Sequence, residues 1–209
     1  PASNNATYTG RTSIAQKHRP VEVRWSNNLT VDGTEDGMVL SEHLLPVDTS
    51  LHWAYSLHGY TGYSIAANGV PIVPHVHGGH TDFQFDGNPE FFFSQDWAVR
   101  GPQWVEKTYI YDNSQPAGTV WYHDHALGIT RLNVYSGMAG FYLIADAEDT
   151  LGPDNAFGLP SGQYEIGLAI QDRSFNEDGS LFYNAQLEDA FKGEYVVVNG
   201  KVNPFLNVD

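Results

Sequence analysis

The residues with the clearest capacity for chemistry are the run His75-Val76-His77-Gly78-Gly79-His80 and its echo His123-Asp124-His125. Five of the nine histidines in 209 residues fall in these two runs, and random placement would give fewer than one H-x-H pair. On an extended strand, side chains at i and i+2 share one face, so each pair presents two imidazoles side by side. Imidazole is the commonest metal-ligating side chain. Two residues along a strand advance about 6.6 Å, so paired rings can converge on one ion or reach two neighbouring ions. We read the two runs as opposing walls of one metal site, with His75, His77, His123 and His125 as ligands of a cluster of more than one ion. Imidazole suits zinc and copper alike, so these residues leave the metal open. Gly78-Gly79 would let the backbone pass close to a bound group without interference from a Cβ.

His80 and Asp82 extend the first run to H-x-H-x-x-H-x-D, a poor match to the H-x-H-x-D-H of dinuclear zinc hydrolases, because the Asp follows the third His. His80 is read as lying behind the ligands or at the surface. His18, His43, His52 and His58 stand alone in loops and are read as surface residues. Asp86, eleven residues after His75 in Phe85-Asp86-Gly87-Asn88-Pro89, is either a turn residue or a carboxylate that orients a ligand and relays protons; chemistry alone balances the two. Asp124, between two ligands on one strand, points away from them and is read as structural.

The elements that must carry these residues read as strands. Val21–Trp25 alternates, with Val21, Val23 and Trp25 on the buried face. Strands are expected at Lys107–Tyr111, Gly118–His123, Gly140–Ile144, Tyr164–Ile170 and Tyr195–Gly200, with turns at Asp112-Asn113-Ser114 and Asn176–Gly179. Ala126–Val134 reads as a short helix, and residues 1–20 carry few strand signals. The acidic, Gly- and Pro-rich stretch 149–163 reads as a linker between a first domain (1–148) and the beginning of a second (164–209).

Composition narrows the function classes. Hydrophobic residues at 41% with 13% aromatics suffice for a packed core. A formal charge of −15 argues against a nucleic-acid partner, which requires a basic patch. No run of eighteen apolar residues is present, so no membrane-spanning helix is expected. The chain has no cysteine, which excludes disulfides, thiolate metal ligands and thiol nucleophiles. Asn5-Ala6-Thr7 and Asn28-Leu29-Thr30 fit the glycosylation sequon, a weak signal. The chain opens at Pro1 without an initiating Met, as expected of a processed or partial polypeptide.

On these motifs the chain resembles the multicopper oxidases, and within them the bacterial spore-coat-type laccases and bilirubin oxidases. The resemblance is carried by His75-Val76-His77-Gly78, by Trp121-Tyr122-His123-Asp124-His125, and by Ala126–Asn133 with Val134-Tyr135 and Gly137. Asp86-Gly87, Pro89-Glu90, Asp172-Arg173, Asn176–Ser180 and Val198–Lys201 add to it. Tyr8-Thr9-Gly10-Arg11-Thr12 departs from the family's Y-P-G-P-T at two prolines.

The resemblance implies an all-β, cupredoxin-like Greek-key β-sandwich followed by a truncated second cupredoxin-like domain. It implies a copper oxidoreductase that couples one-electron oxidation of phenols, aromatic amines or pigments to reduction of dioxygen to water. By motif, His75 resembles the type 2 copper ligand, His77 and His123 ligands of one type 3 copper, and His125 a ligand of the other. Asp86 falls where the family has an acid that assists proton delivery. The type 1 copper needs a Cys thiolate, and the family's H-C-H motif is absent here, so this chain is expected to supply half of the trinuclear ligands and none of the blue site. The partners implied are dioxygen, a reducing small molecule, and the missing domains of the same protein or a second chain. An extracellular, periplasmic or spore-coat location is implied. A dinuclear zinc hydrolase and a non-catalytic copper-binding module are the alternatives.

Overall fold

The computed structural model describes residues 9–34, 36–48, 63–146, 155, 157–184 and 190–207. Its strands are β1 (Ser13–Gln16), β2 (Val21–Arg24), β3 (Pro74–His77), β4 (Thr108–Tyr111), β5 (Gly118–Asp124), β6 (Ala139–Ala145), β7 (Ile170–Phe175), β8 (Leu181–Phe182), β9 (Tyr195–Val198) and β10 (Lys201–Val202). Two short helices, α1 (Ile65–Asn68) and α2 (Thr130–Tyr135), join them. The all-β expectation holds.

A four-stranded sheet in the order β1-β6-β5-β3 faces the two-stranded β2-β4 pair. Ala15, Val76, Tyr142 and Ile144 of the larger sheet meet Tyr109 and Tyr111 of β4 and Phe85 in one buried cluster, with Val21, Val23 and Trp25 packed against it. This is the face expected of Val21–Trp25, and burying it fixes the register of β2, since a one-residue slip would turn every side chain outward. β1 pairs with β6 in parallel, Ser13 opposite Tyr142. Its four residues hold one buried side chain, Ala15, so alternation could not announce it.

The other departures are local. The expected strand at Tyr164–Ile170 begins only at Ile170. Ile166, Leu168 and Ile170 are all exposed, and Gly162–Tyr164 forms a 3-10 turn instead. The apolar alternation through Ile166 and Leu168 therefore lies outside any strand, and pairing begins at Ile170, opposite Val198 of β9. The helix expected from Ala126 starts at Thr130, because Ala126–Ile129 is a turn closed by the Ile129 amide on the Ala126 carbonyl, 3.2 Å. The Asn176–Gly179 turn links β7 to β8 as expected, with Gly179 at φ 83°.

β7, β8, β9 and β10 form a second four-stranded sheet, order β10-β9-β7-β8. It meets α2 through Leu132 and Tyr135, against which Leu181, Tyr183 and Phe191 pack. The Tyr135 hydroxyl accepts from the Ser174 amide, 2.9 Å, and donates to the Phe182 carbonyl, 2.8 Å.

Candidate metal centre

β3 and β5 pair antiparallel with His75 opposite His123 and His77 opposite Trp121. The two histidine runs are therefore not opposing walls. They lie side by side on one face of one sheet, and hydrogen-bonded strand neighbours stand only about 4.7–4.9 Å apart. Ring centroids lie 5.5 Å apart for His75 and His77, 5.2 Å for His75 and His123, 5.0 Å for His75 and His125, and 5.3 Å for His77 and His123. Ring nitrogens of His75, His77 and His123 fall within 4.8 Å of one another, while His125 stands beside this trio rather than within it.

Backbone carbonyls set the ring tautomers. A carbonyl can only accept, so a ring nitrogen against one carries the proton. His123 Nδ1 donates to the Asp124 carbonyl, 2.7 Å, which leaves Nε2 with its lone pair. His75 Nδ1 donates to the Asp86 carbonyl and likewise frees Nε2. His77 has another support, its ring stacking on Trp121 at 5.3 Å and 27°.

The donor set fits a metal. His77 Nδ1 and His123 Nε2 approach to 3.1 Å. Two nitrogens so spaced can each lie about 2.0–2.1 Å from one ion, the ordinary imidazole bond length to zinc. His125 Nδ1 is buried with no hydrogen-bond partner among the described residues, and without a proton it would offer a cation its lone pair. Ligation requires neutral imidazole. Burial pushes His75 below the usual histidine value, against the opposing effect of the Asp86 carbonyl and charge. Burial likewise lowers His123, which is 7% exposed.

The loop after β3 supplies a constraint that the sequence concealed. Gly87 has φ 83°, and a Cβ there would lie 2.6 Å from His75 Cβ and 2.7 Å from the Pro74 carbonyl oxygen. Only glycine lets this loop press on His75, and that contact delivers the Asp86 carbonyl to the ring. The Asp86 carboxylate lies 3.5 Å from His75 Nδ1 and is about half exposed, at 49%. Asp86 thus reaches His75 through both backbone and side chain. Gly78-Gly79 has a different use from the clearance expected of it. Gly78, at φ 84°, turns the chain after His77, and the Gly79 amide closes that turn on the Val76 carbonyl at 3.0 Å. The His80 ring is exposed, and its backbone amide bonds Gln115.

Two residues outside the ligand set belong to the centre's framework. Asp124 does turn its carboxylate away from the four rings, as expected. That carboxylate is fully buried, accepting from the Val73 amide (2.8 Å), the Ala126 amide (3.0 Å) and Asn133 Nδ2 (2.8 Å). Burial raises its pKa to about 7, against those three donors. His43, expected at the surface, is partly buried, with Nε2 3.0 Å from Asn133 Oδ1. Loop position hid it, and the signal that could have found it is the polar Asn133 within an otherwise apolar helix face. His18 is exposed, and His52 and His58 lie outside the described residues.

A family model described as "Multicopper oxidase" matches residues 67–149. A laccase of Bacillus stratosphericus is 40% identical over 219 residues, covering 98% of this chain and 38% of the relative. A laccase of Bacillus subtilis is 38% identical over 217 residues, with the same coverage of 98% and 38%. Among solved structures, a laccase from Pediococcus acidilactici superposes with a TM-score of 0.62 at 22% identity, covering 96% of this chain and 33% of that one. That likeness shows the cupredoxin-type fold. The chain spans 38% of the length of the two Bacillus laccases.

Proposed function

Because the chain belongs to the multicopper oxidase family, in the branch of the spore-coat-type laccases, we propose that it carries half of a trinuclear copper centre in a laccase-like oxidase. The observation that carries this reading is the convergence of four imidazoles on one sheet face, three of them with ring nitrogens within 4.8 Å. In this reading His75 holds the type 2 copper, His77 and His123 hold one type 3 copper, and His125 holds the other. The position of His125 beside the trio supports its serving a different ion.

Copper held by these histidines would supply the dioxygen-reducing half of the reaction, in which four electrons, drawn singly from a phenolic, aromatic-amine or pigment substrate at a centre outside these residues, and four protons convert dioxygen to two waters. The chain's own residues do the rest. The Asp86 and Asp124 carbonyls hold the His75 and His123 rings by their Nδ1 protons, turning the Nε2 lone pairs towards the ions. The half-exposed Asp86 carboxylate takes protons from solvent and passes them inward beside His75. The ligands that complete the cluster, and the centre that meets the reducing substrate, come from outside these 209 residues, since there is no cysteine and no further H-x-H pair. An extracellular, periplasmic or spore-coat location goes with this reading. Among the described residues, no helix is long and apolar enough to cross a membrane.

Replacing His75 with Ala in the whole oxidase should deplete the type 2 copper and abolish dioxygen reduction, while the blue centre still accepts electrons. Metal analysis, electron paramagnetic resonance and an oxygen electrode measure the three. Continued oxygen turnover would sink the assignment of His75, and stoichiometric zinc in place of copper would sink the oxidase reading altogether.

A further inference from the structure

Behind the four rings runs a buried polar chain, His43–Asn133–Asp124, that the copper reading does not use. Its hydrogen bonds define each other. Asn133 is 0% exposed. Its side-chain nitrogen donates to the Pro71 carbonyl (3.1 Å), which can only accept, and to Asp124 Oδ2 (2.8 Å). That fixes the amide's orientation and turns Oδ1 towards His43. Oδ1 only accepts, so His43 Nε2 carries the proton across the 3.0 Å contact. His43 Nδ1 is then the acceptor that receives the Leu45 amide at 2.9 Å. His43 Nδ1 also lies 3.2 Å from the Leu45 carbonyl, to which it donates only when both ring nitrogens are protonated.

The chain ends between two candidate ligands. Asp124 is hydrogen-bonded through both carboxylate oxygens, and Asn133 is its one side-chain donor among the described residues. The carbonyl of the same residue holds the His123 ring, and the next peptide begins His125, whose amide donates to the Val73 carbonyl at 2.8 Å. The Asp124 carboxylate therefore anchors the short stretch of backbone from which both rings are held.

We propose that Asn133 and His43 are positioning residues for the second histidine pair, acting through the Asp124 carboxylate to set where His123 and His125 stand. The inference rests on the reading of those histidines as copper ligands. It assigns a role to a loop residue 80 positions before His123 that touches none of the four rings among the described contacts. Partners behind metal ligands typically change affinity 10- to 100-fold when removed.

The test compares His43→Leu, His43→Gln and Asn133→Ala in the copper-loaded protein. Gln keeps an N–H donor at a similar reach, whereas Leu keeps only volume. His43→Leu and Asn133→Ala should weaken copper binding about 10- to 100-fold in chelator competition and alter the copper hyperfine pattern. His43→Gln should restore both towards wild type. A purely structural role would lower the thermal midpoint of the metal-free protein and leave copper affinity and spectrum unchanged; that result overturns the proposal, as does a Gln variant no better than Leu. If Asn133→Ala does not fold, the two His43 variants decide. A wild-type protein that binds no copper would instead defeat the metal-site reading itself.

Discussion

At the scale of one residue, Asp86 meets His75 in two ways. Its backbone carbonyl orients the His75 ring, and its carboxylate lies 3.5 Å from the same ring with about half its surface in water. Asp86→Asn preserves the carbonyl and the loop geometry but removes the titratable acid. Copper content should therefore remain at the wild-type level, while oxygen consumption near neutral pH falls by about 10²-fold or more, the ordinary contribution of a positioned acid or base. Metal analysis beside an oxygen electrode checks this. Copper loss would mean that the carboxylate, rather than the carbonyl, holds the ligand. Gly87 belongs to the same account, because its missing Cβ brings Asp86 within reach.

Single elements contribute through what they fasten. The Asp124 carboxylate ties the start of β3 to the end of β5, by the Val73 amide, and to α2, by Asn133. The His43 loop closes over this from outside the sheet. Burial depresses His43 below the ordinary histidine value of about 6.5, although its hydrogen bonds to Asn133 and Leu45 oppose the shift. Folding thus favours the neutral ring. Between the depressed folded value and 6.5 the unfolded chain binds more protons, so stability rises with pH there. His43 should cost the protein nothing above pH 6.5 and progressively destabilise it as pH falls through that window. Denaturant unfolding of metal-free protein at pH 7.5 and pH 5.5 measures it, and His43→Gln should lose less stability on acidification than wild type. An equal loss in both would remove His43 from the pH dependence.

Over the whole molecule, the sandwich that carries the histidines is joined to the second sheet by α2. Tyr135 is the polar part of that joint, receiving the Ser174 amide and donating to the Phe182 carbonyl. Arg173 lies over its ring at 4.4 Å. Tyr135→Phe leaves the buried Ser174 amide without its acceptor, which should cost about 1–3 kcal/mol in denaturant unfolding. Copper binding should be unaffected, because Tyr135 touches none of the four rings among the described contacts; a fall in copper affinity would couple the joint to the centre.

The sequence by itself determined the chemistry. Two H-x-H pairs on strands place four imidazoles on common faces, because strand side chains alternate with a period of two residues, and this local rule needs no knowledge of the fold. The β2, β4, β5 and β6 strands were legible for the same reason. Tertiary structure decided how the pairs meet. Pairing of β3 with β5 is a contact between residues almost fifty positions apart, and no local pattern could choose adjacent strands over opposing walls. The proton on His75, the need for glycine at position 87 and the burial of His43 also depend on backbone carbonyls and side chains brought from distant segments. So did the stretch through Ile166 and Leu168, whose alternation describes a strand that needs a neighbour to exist, whereas Ile170 finds one in Val198 of β9.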